Sequence, residues 1–402
     1  MKGLGNLFLW MLFSLSCLVL SDYTRAQDHD LGASFRAFQF LSFEDMVPDA
    51  RNDGELGIFR VTDYMELGKS FRIETHGVID FSSPPSGAAS GLAVSKSRYF
   101  LPLQFDIADH EDYFSEARLD RFNLSFDLGY AEVTIGRQPV TWGEGYFWPA
   151  LDLFSSFSPE QIDRDYKSGV DAVRINLPLG NLSELEVIGG ILGSSLDRDG
   201  TLGAILRWNL GNVDVGFMGG SFHQDNLGGA FLSADVRGTG VRGEITYTSS
   251  GDSRDILLNR KNFWRGSFGI TRQLTPFISV TSELAFNGYG ADGPDDYVLW
   301  YSSDRMTRGE VNGYGRCYWG TSFTHQLHPL LIGTFTSLVN FTDSSVLLTP
   351  SVVWSLSDNS DILAGGEFGI GEGLKETSGQ PVMGSEYGSV PATVFVALKV
   401  YF

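Results

Sequence analysis

Residues 394–402 read VFVALKVYF, with apolar side chains at every second position up to the last residue. Val394, Val396, Leu398, Val400 and Phe402 fall on one side of an extended chain, and Phe395, Ala397, Lys399 and Tyr401 on the other. A chain terminus in a soluble domain ordinarily frays, so an alternation kept to the end needs an outside partner for its apolar face. Lipid is that partner if the segment closes a membrane barrel. Backbone groups left unpaired in hydrocarbon cost several kcal/mol each, so the last strand must pair with the first. The alternation therefore predicts a lipid-facing closing strand.

The opposite end reads as an address. Lys2 precedes the apolar run LGNLFLWMLFSLSCLVL (4–20), and TRAQ (24–27) offers a cut after Ala26. The expectation is a secretory signal peptide over 1–26, with 27–402 as the mature chain. Cys317 would then be the only thiol, which excludes a disulfide within the chain. The mature chain would carry 27 basic against 48 acidic residues, a balance that argues against nucleic acid as a partner. No apolar stretch of about 18 residues follows the signal, so helical membrane spans are excluded there. Aromatic residues make up 13% of the chain and glycines number 48. That composition suits an outer-membrane barrel, although a soluble β-sandwich shares it.

The connections separate the two. Segments such as RFNLSFDLGY (121–130), TLGAILRWNL (201–210), GVRGEITYT (240–248) and FISVTSELAF (277–286) put apolar residues on one face and polar ones on the other. Each has roughly the ten residues that cross a bilayer when tilted by about 45°. The joins alternate between short turns, such as Gly129-Tyr130, Gly180-Asn181 and Gly211-Asn212, and longer loops at 82–116, 143–168, 250–261, 289–311 and 372–390. Short turns on one rim and long loops on the other mark an outer-membrane barrel. The predicted fold is all-β: one transmembrane antiparallel up-and-down barrel of 16–18 strands, with eighteen from this reading.

Two stretches carry resemblances. The aromatic end at Val400 and Phe402 resembles the C-terminal signal read by the outer-membrane assembly machinery of Gram-negative bacteria, which would make that machinery a partner. Residues 135–145, IGRQ-x-x-x-WGEG, followed by a Pro and an Asp in an aromatic loop, look like the porin-type barrels of the alginate-export and related outer-membrane families. The match covers about a tenth of the chain. It implies an 18-strand diffusion or export channel; the acidic balance speaks against a polyanion such as alginate as cargo.

The loop 143–168 is too aromatic to hang in water uncovered, with Trp142 at its entry and Tyr146, Phe147, Trp148, Phe154 and Phe157 along it. Folding it into the barrel would cover it, and would bring Glu144, Asp152, Glu160, Asp163 and Asp165 to a narrowing of the lumen. Packing as an external lid is the competing arrangement. Arg121, Arg174, Arg207, Arg242 and Arg265 lie opposite the apolar faces of their strands and are expected to line the pore. An arginine on the lipid face near the midplane would cost about 2–4 kcal/mol. Arg137 joins them as a pore-lining candidate only if a bulge shifts the phase, since strict alternation from Val133 and Ile135 points it outward.

Enzymatic readings find no support. His325 and His328 flank a turn without neighbouring Cys or Glu, and Gly251-Asp252-Ser253 lacks the rest of a Gly-x-Ser-x-Gly elbow. No metal site or cofactor is expected. The expected partners are the lipid bilayer, lipopolysaccharide and small polar solutes. Trp300, Tyr301, Trp319 and Trp354 suit aromatic girdles or a contact between copies of the chain. Two functions fit: a passive channel for small polar solutes, or a non-conducting surface barrel that binds polysaccharide or a partner through its loops.

Overall fold

A computed structural model of the chain describes residues 28–43, 52–83, 99–110, 113–193, 195–251, 262–377 and 380–402. The expected signal peptide, 1–26, lies outside them, as do parts of the 82–116 and 250–261 loops. The strands are β1 (Asp28–Ser42), β2 (Asp53–Leu67), β3 (Phe71–Ser83), β4 (Gln104–Asp109), β5 (Phe114–Asp127), β6 (Glu132–Gln138) and β7 (Val170–Pro178). Next come β8 (Glu184–Ile191), β9 (Gly200–Asn209), β10 (Val213–Phe222), β11 (Asp225–Asp235), β12 (Thr239–Ser249), β13 (Asn262–Thr275) and β14 (Ile278–Asn287). The rest are β15 (Cys317–His328), β16 (Leu331–Asn340), β17 (Ser345–Ser357), β18 (Ser360–Ile370), β19 (Leu374–Thr377), β20 (Gln380–Met383) and β21 (Thr393–Tyr401).

Eighteen of these close a ring in which each strand runs antiparallel to its neighbours. β21 pairs with β18 on one side and with β1 on the other, from Ser34↔Tyr401 to Ser42↔Thr393. The closing strand faces as its alternation predicts: Val396, Leu398 and Phe402 are exposed, and Phe395 and Ala397 are buried. The same period of two runs round the ring. In β12, Glu244, Thr246 and Thr248 are buried inward while Ile245 and Tyr247 are exposed outward. Tight turns join the strands on the short rim, where Gly129 (φ +82°) and Gly211 (φ +81°) take the left-handed conformation that only glycine adopts at little cost.

Among the described residues, three strands, β4, β19 and β20, do not belong to the ring. β4 lies within the expected 82–116 loop and pairs with the outer half of β5, from Gln104↔Arg118 to Asp109↔Phe114, beyond the point where β6 ends. β19 and β20 form a hairpin in the 372–390 loop. The loop between β14 and β15 carries short helices at Tyr297–Tyr301 and Asp304–Thr307. Trp300 is not a girdle residue: it is buried in that loop against Tyr289, and its indole N–H donates to the Tyr289 carbonyl at 2.8 Å. Trp319 and Trp354 are exposed on the outer wall.

The inner wall is not uniformly polar. On β7 to β11, Val170, Ala172, Ile188, Ile205, Met218 and Phe231 form an apolar cluster with loop residues including Trp142, Leu151 and Phe154. Alternation alone could not show it, because both faces of these strands carry apolar side chains.

Candidate functional site

The loop 143–168 leaves β6, returns in β7 and contacts inward-facing residues on strands all round the ring. Trp142, at its root, donates its indole N–H to Glu186 of β8 at 2.6 Å and packs edge-on against Phe154 and Phe222. Farther on, the backbone supplies the contacts. The amides of Tyr146, Phe147 and Trp148 converge on the Glu283 carboxylate of β14 at 2.7, 3.1 and 2.9 Å. Those of Glu144 and Leu151 reach Glu244 of β12 at 2.8 and 3.3 Å. Three successive amides pointing one way form a concave nest, which a buried carboxylate fits as an anion fits a helix N-terminus. Gly320 of β15 leaves the room that Phe147 fills: a Cβ there would come within 2.6 Å of the ring.

The descending half of the loop crosses to the first and last strands. Asp163 pairs with Arg36 of β1 and lies 3.3 Å from the Lys399 ammonium of β21. Asp165 meets Lys399 at 2.8 Å and Arg36 at 3.8 Å, and accepts from the Tyr401 hydroxyl at 3.3 Å. Burial works against the Asp165 carboxylate, yet the Lys399 hydrogen bond and charge, helped by Arg36 and Tyr401, hold its pKa below the ordinary value. The Tyr166 ring lies under the guanidinium groups of Arg60 at 4.1 Å and Arg36 at 5.1 Å. Asp152 and Lys167 pair within the loop at 2.5 Å; burial pushes the carboxyl up and the ammonium down, each opposed by the other's charge. Burial also raises Glu144. Arg164 ties the loop to itself by donating to the carbonyls of Tyr146, Ser158, Pro159 and Gln161.

Arg121, Arg174, Arg207, Arg242 and Arg265 sit at inward positions of their strands. Arg121 pairs with Glu74 at 3.0 Å, Arg207 with Glu184 at 2.9 Å, and Arg242 lies 3.9 Å from Glu283 with its guanidinium 5.6 Å from the Tyr146 ring. Arg174 makes no ion pair among the described residues. Arg265 is only 6% exposed, covered by the β14–β15 loop, and donates to the Glu310 carbonyl. Arg137 does not line a pore. It has no exposed surface and fills the place in the wall where β6 gives way to the segment leading into β4. Its guanidinium binds Asp171 at 2.9 and 3.0 Å, donates to the carbonyls of Leu119 and Leu101, and stacks 3.6 Å over Tyr99. Gly136, at φ +119°, breaks the regular strand geometry just before it.

Sequence reading passed over the row formed by Arg36, Arg60 and Arg118 on β1, β2 and β5. Arg60 pairs with Asp120 at 2.8 Å and Arg118 with Asp80 at 2.5 Å. Their signal was present: Arg36 and Arg60 share the parity of Phe38 and Leu56, so the inward face held both charge and apolar bulk. Glu244 and Glu283 also lie at inward parity, but a carboxylate that binds loop amides has no sequence mark distinguishing it from one that pairs an arginine.

Among the described residues, outer loops interlock. Ser156 donates to the Gly309 carbonyl at 3.0 Å, and the Asn312 amide donates to Ser156 at 3.0 Å. Arg305, fully buried, bridges Asp225 at 2.6 Å and Glu310 at 2.8 Å. Burial opposes the Glu310 charge, but Arg308, Arg305 and Arg265 hold its carboxyl well below the usual range.

No protein-family model and no curated protein matches the chain. Solved structures do. A double variant of OccD1 (OprD) aligns with a TM-score of 0.59 at 10% identity, over 94% of this chain and 96% of that one. OpdK of Pseudomonas aeruginosa, solved with vanillate, aligns at 0.54 and 12% identity over 94% and 99%. A mutant of the Rh. blastica porin aligns at 0.50 and 9% identity over 93% and 100%. At these identities the likeness is one of fold, a closed barrel of the porin type. It extends no further toward the alginate-export families.

Proposed function

We propose that this chain is an outer-membrane channel for the passive passage of small polar solutes, its lumen narrowed by the 143–168 loop against an arginine-lined wall. The observation that carries the reading is the suspension of one loop across the ring. It is held by Glu244 and Glu283 on one side and by Arg36 and Lys399 on the other. Its carboxylates Asp163 and Asp165 stand against Arg36, while Arg60, Arg118 and Arg121 continue the basic row along the neighbouring strands. Charged side chains along a narrow aqueous passage favour polar over apolar solutes. The exposed apolar outer wall, with Leu202, Phe217, Phe268 and Leu284 among its members, supports a lipid-embedded barrel. The fold shared with OccD1 and OpdK supports a channel in the outer membrane of a Gram-negative bacterium. Export through a cleaved 1–26 signal, and folding by the assembly machinery through Val400 and Phe402, belong to the same reading.

The dense apolar cluster behind the loop and the interlocked outer loops favour a second reading, a plugged barrel that binds polysaccharide or a partner from outside. Planar-bilayer recording of the purified mature protein separates the two. Stepwise conductance, with a reversal potential that reports ion preference, is expected of the channel; a barrel sealed by its loops gives none.

A further inference from the structure

The ring closes where β1 meets β21, and this seam carries an unfavourable pair. Arg36 and Lys399 stand directly opposite each other in its register, between Phe35↔Val400 and Ala37↔Leu398. Opposite residues of an antiparallel pair share a face, and like charges placed so destabilise it. Arg36 is only 2% exposed and the Lys399 side chain 12%, so water and salt screen the repulsion poorly. Ladder bonds at the last joint of the barrel therefore work against two buried cations.

The neighbouring strands supply no anion within ion-pair distance. Asp361 of β18 lies opposite Lys399 on its other side, yet the two form no ion pair among the described residues. Beside Arg36, β2 offers Ile58 in register and then Arg60, another cation. The loop 143–168 supplies two carboxylates. Asp163 pairs with Arg36 and lies 3.3 Å from Lys399, while Asp165 lies 2.8 Å from Lys399 and 3.8 Å from Arg36. Each carboxylate thus reaches both strands. The Tyr401 hydroxyl of β21 adds a bond to Asp165 at 3.3 Å. The Asp165 amide donates to the Asp163 carboxylate at 3.3 Å, which holds the two acids together. Arg164 between them turns away, to carbonyls of its own loop.

We propose that Asp163 and Asp165 staple the barrel seam: by bridging Arg36 and Lys399 they turn a repulsive contact between first and last strands into an attractive one, so that docking of the loop and closure of the ring stabilise each other. The seat of the descending half needs β1 and β21 together. An unclosed ring offers it only in part, and a loop that leaves its seat loosens the seam. The staple concerns stability and stands whether or not the lumen conducts.

Thermal loss of the compact form of the purified mature protein in detergent, read from the migration of samples heated over a temperature series, tests it. Asp163→Asn combined with Asp165→Asn is expected to lower the midpoint by about 5 °C or more. Adding Lys399→Gln removes one of the opposed cations and is expected to recover part of that fall. A loop merely anchored at this place gives no recovery, because Lys399 has already lost its partners. An unchanged midpoint in the double variant, or a triple variant no more stable than the double, overturns the proposal. Should the double variant give no compact form, its return with Lys399→Gln supports the staple and its continued absence overturns it. Bilayer conductance of the parent protein decides the channel reading separately.

Discussion

Glu283 is the residue on which the loop depends most. Its carboxylate accepts three consecutive amides, and with the loop in place it has almost no exposed surface. Glu283→Gln keeps the shape and exchanges one acceptor oxygen for an NH₂ that would point at N–H donors. A loss of roughly 2–3 kcal/mol is expected, given that hydrogen bonds to charged groups contribute about 1.5–3 kcal/mol each and relaxation recovers part. Urea unfolding in lipid vesicles measures it, and faster proteolysis within 143–168 shows where the loss falls. Unchanged stability together with an unchanged cleavage pattern would mean that the loop is held from elsewhere. Parity pointed Arg121, Arg207 and Arg242 inward from sequence alone, since an arginine facing lipid near the midplane would cost about 2–4 kcal/mol. The same parity pointed Arg137 outward, and no bulge brings it to a pore: it is buried where Gly136 leaves regular strand geometry and a separate segment brings Tyr99 and Leu101 across. Nothing within six residues of Arg137 announces those contacts.

Among the loops, the outer end joins three separate segments through one carboxyl group. Glu386, which precedes the turn at Tyr387–Ser389, accepts from the Tyr318 hydroxyl, the Tyr314 amide and the Asn340 side chain. Burial, and then the Glu160 charge, still push its pKa up to about 8. A carboxyl raised on folding stabilises fully below its ordinary value of 4.5, and the contribution is lost as pH climbs through about 8. Protease protection of the 371–390 loop is therefore expected to fall as pH rises from about 5 to about 9. Glu386→Gln should flatten that profile; a variant with the parent's slope would place the titrating group elsewhere. The long loops were legible as loops, from their aromatic and acidic residues and the turns between them. Their internal order was not: β4, the β19–β20 hairpin and the short helices at Tyr297–Tyr301 and Asp304–Thr307 are too brief for a period to register.

Closure holds the whole molecule together. β21 supplies ladder bonds to both β18 and β1, so its loss opens two edges at once. Deleting 393–402 is expected to abolish the heat-modifiable, compact form of the detergent-extracted protein, read as the difference in migration between unboiled and boiled samples. A truncated chain that still migrates compactly would show that β1 and β18 can close without it. Strand number, the short and long rims and the outward apolar faces were fixed by local pattern, because a period of two and a turn signal need only a dozen residues to be expressed. What fills the ring was settled by contacts between residues a hundred or more positions apart: Glu283 with Tyr146, Lys399 with Asp165, Arg36 with Asp163. An inward side chain looks the same in sequence whether it meets water, an opposite charge or a loop, and only closing the ring decides which of them arrives.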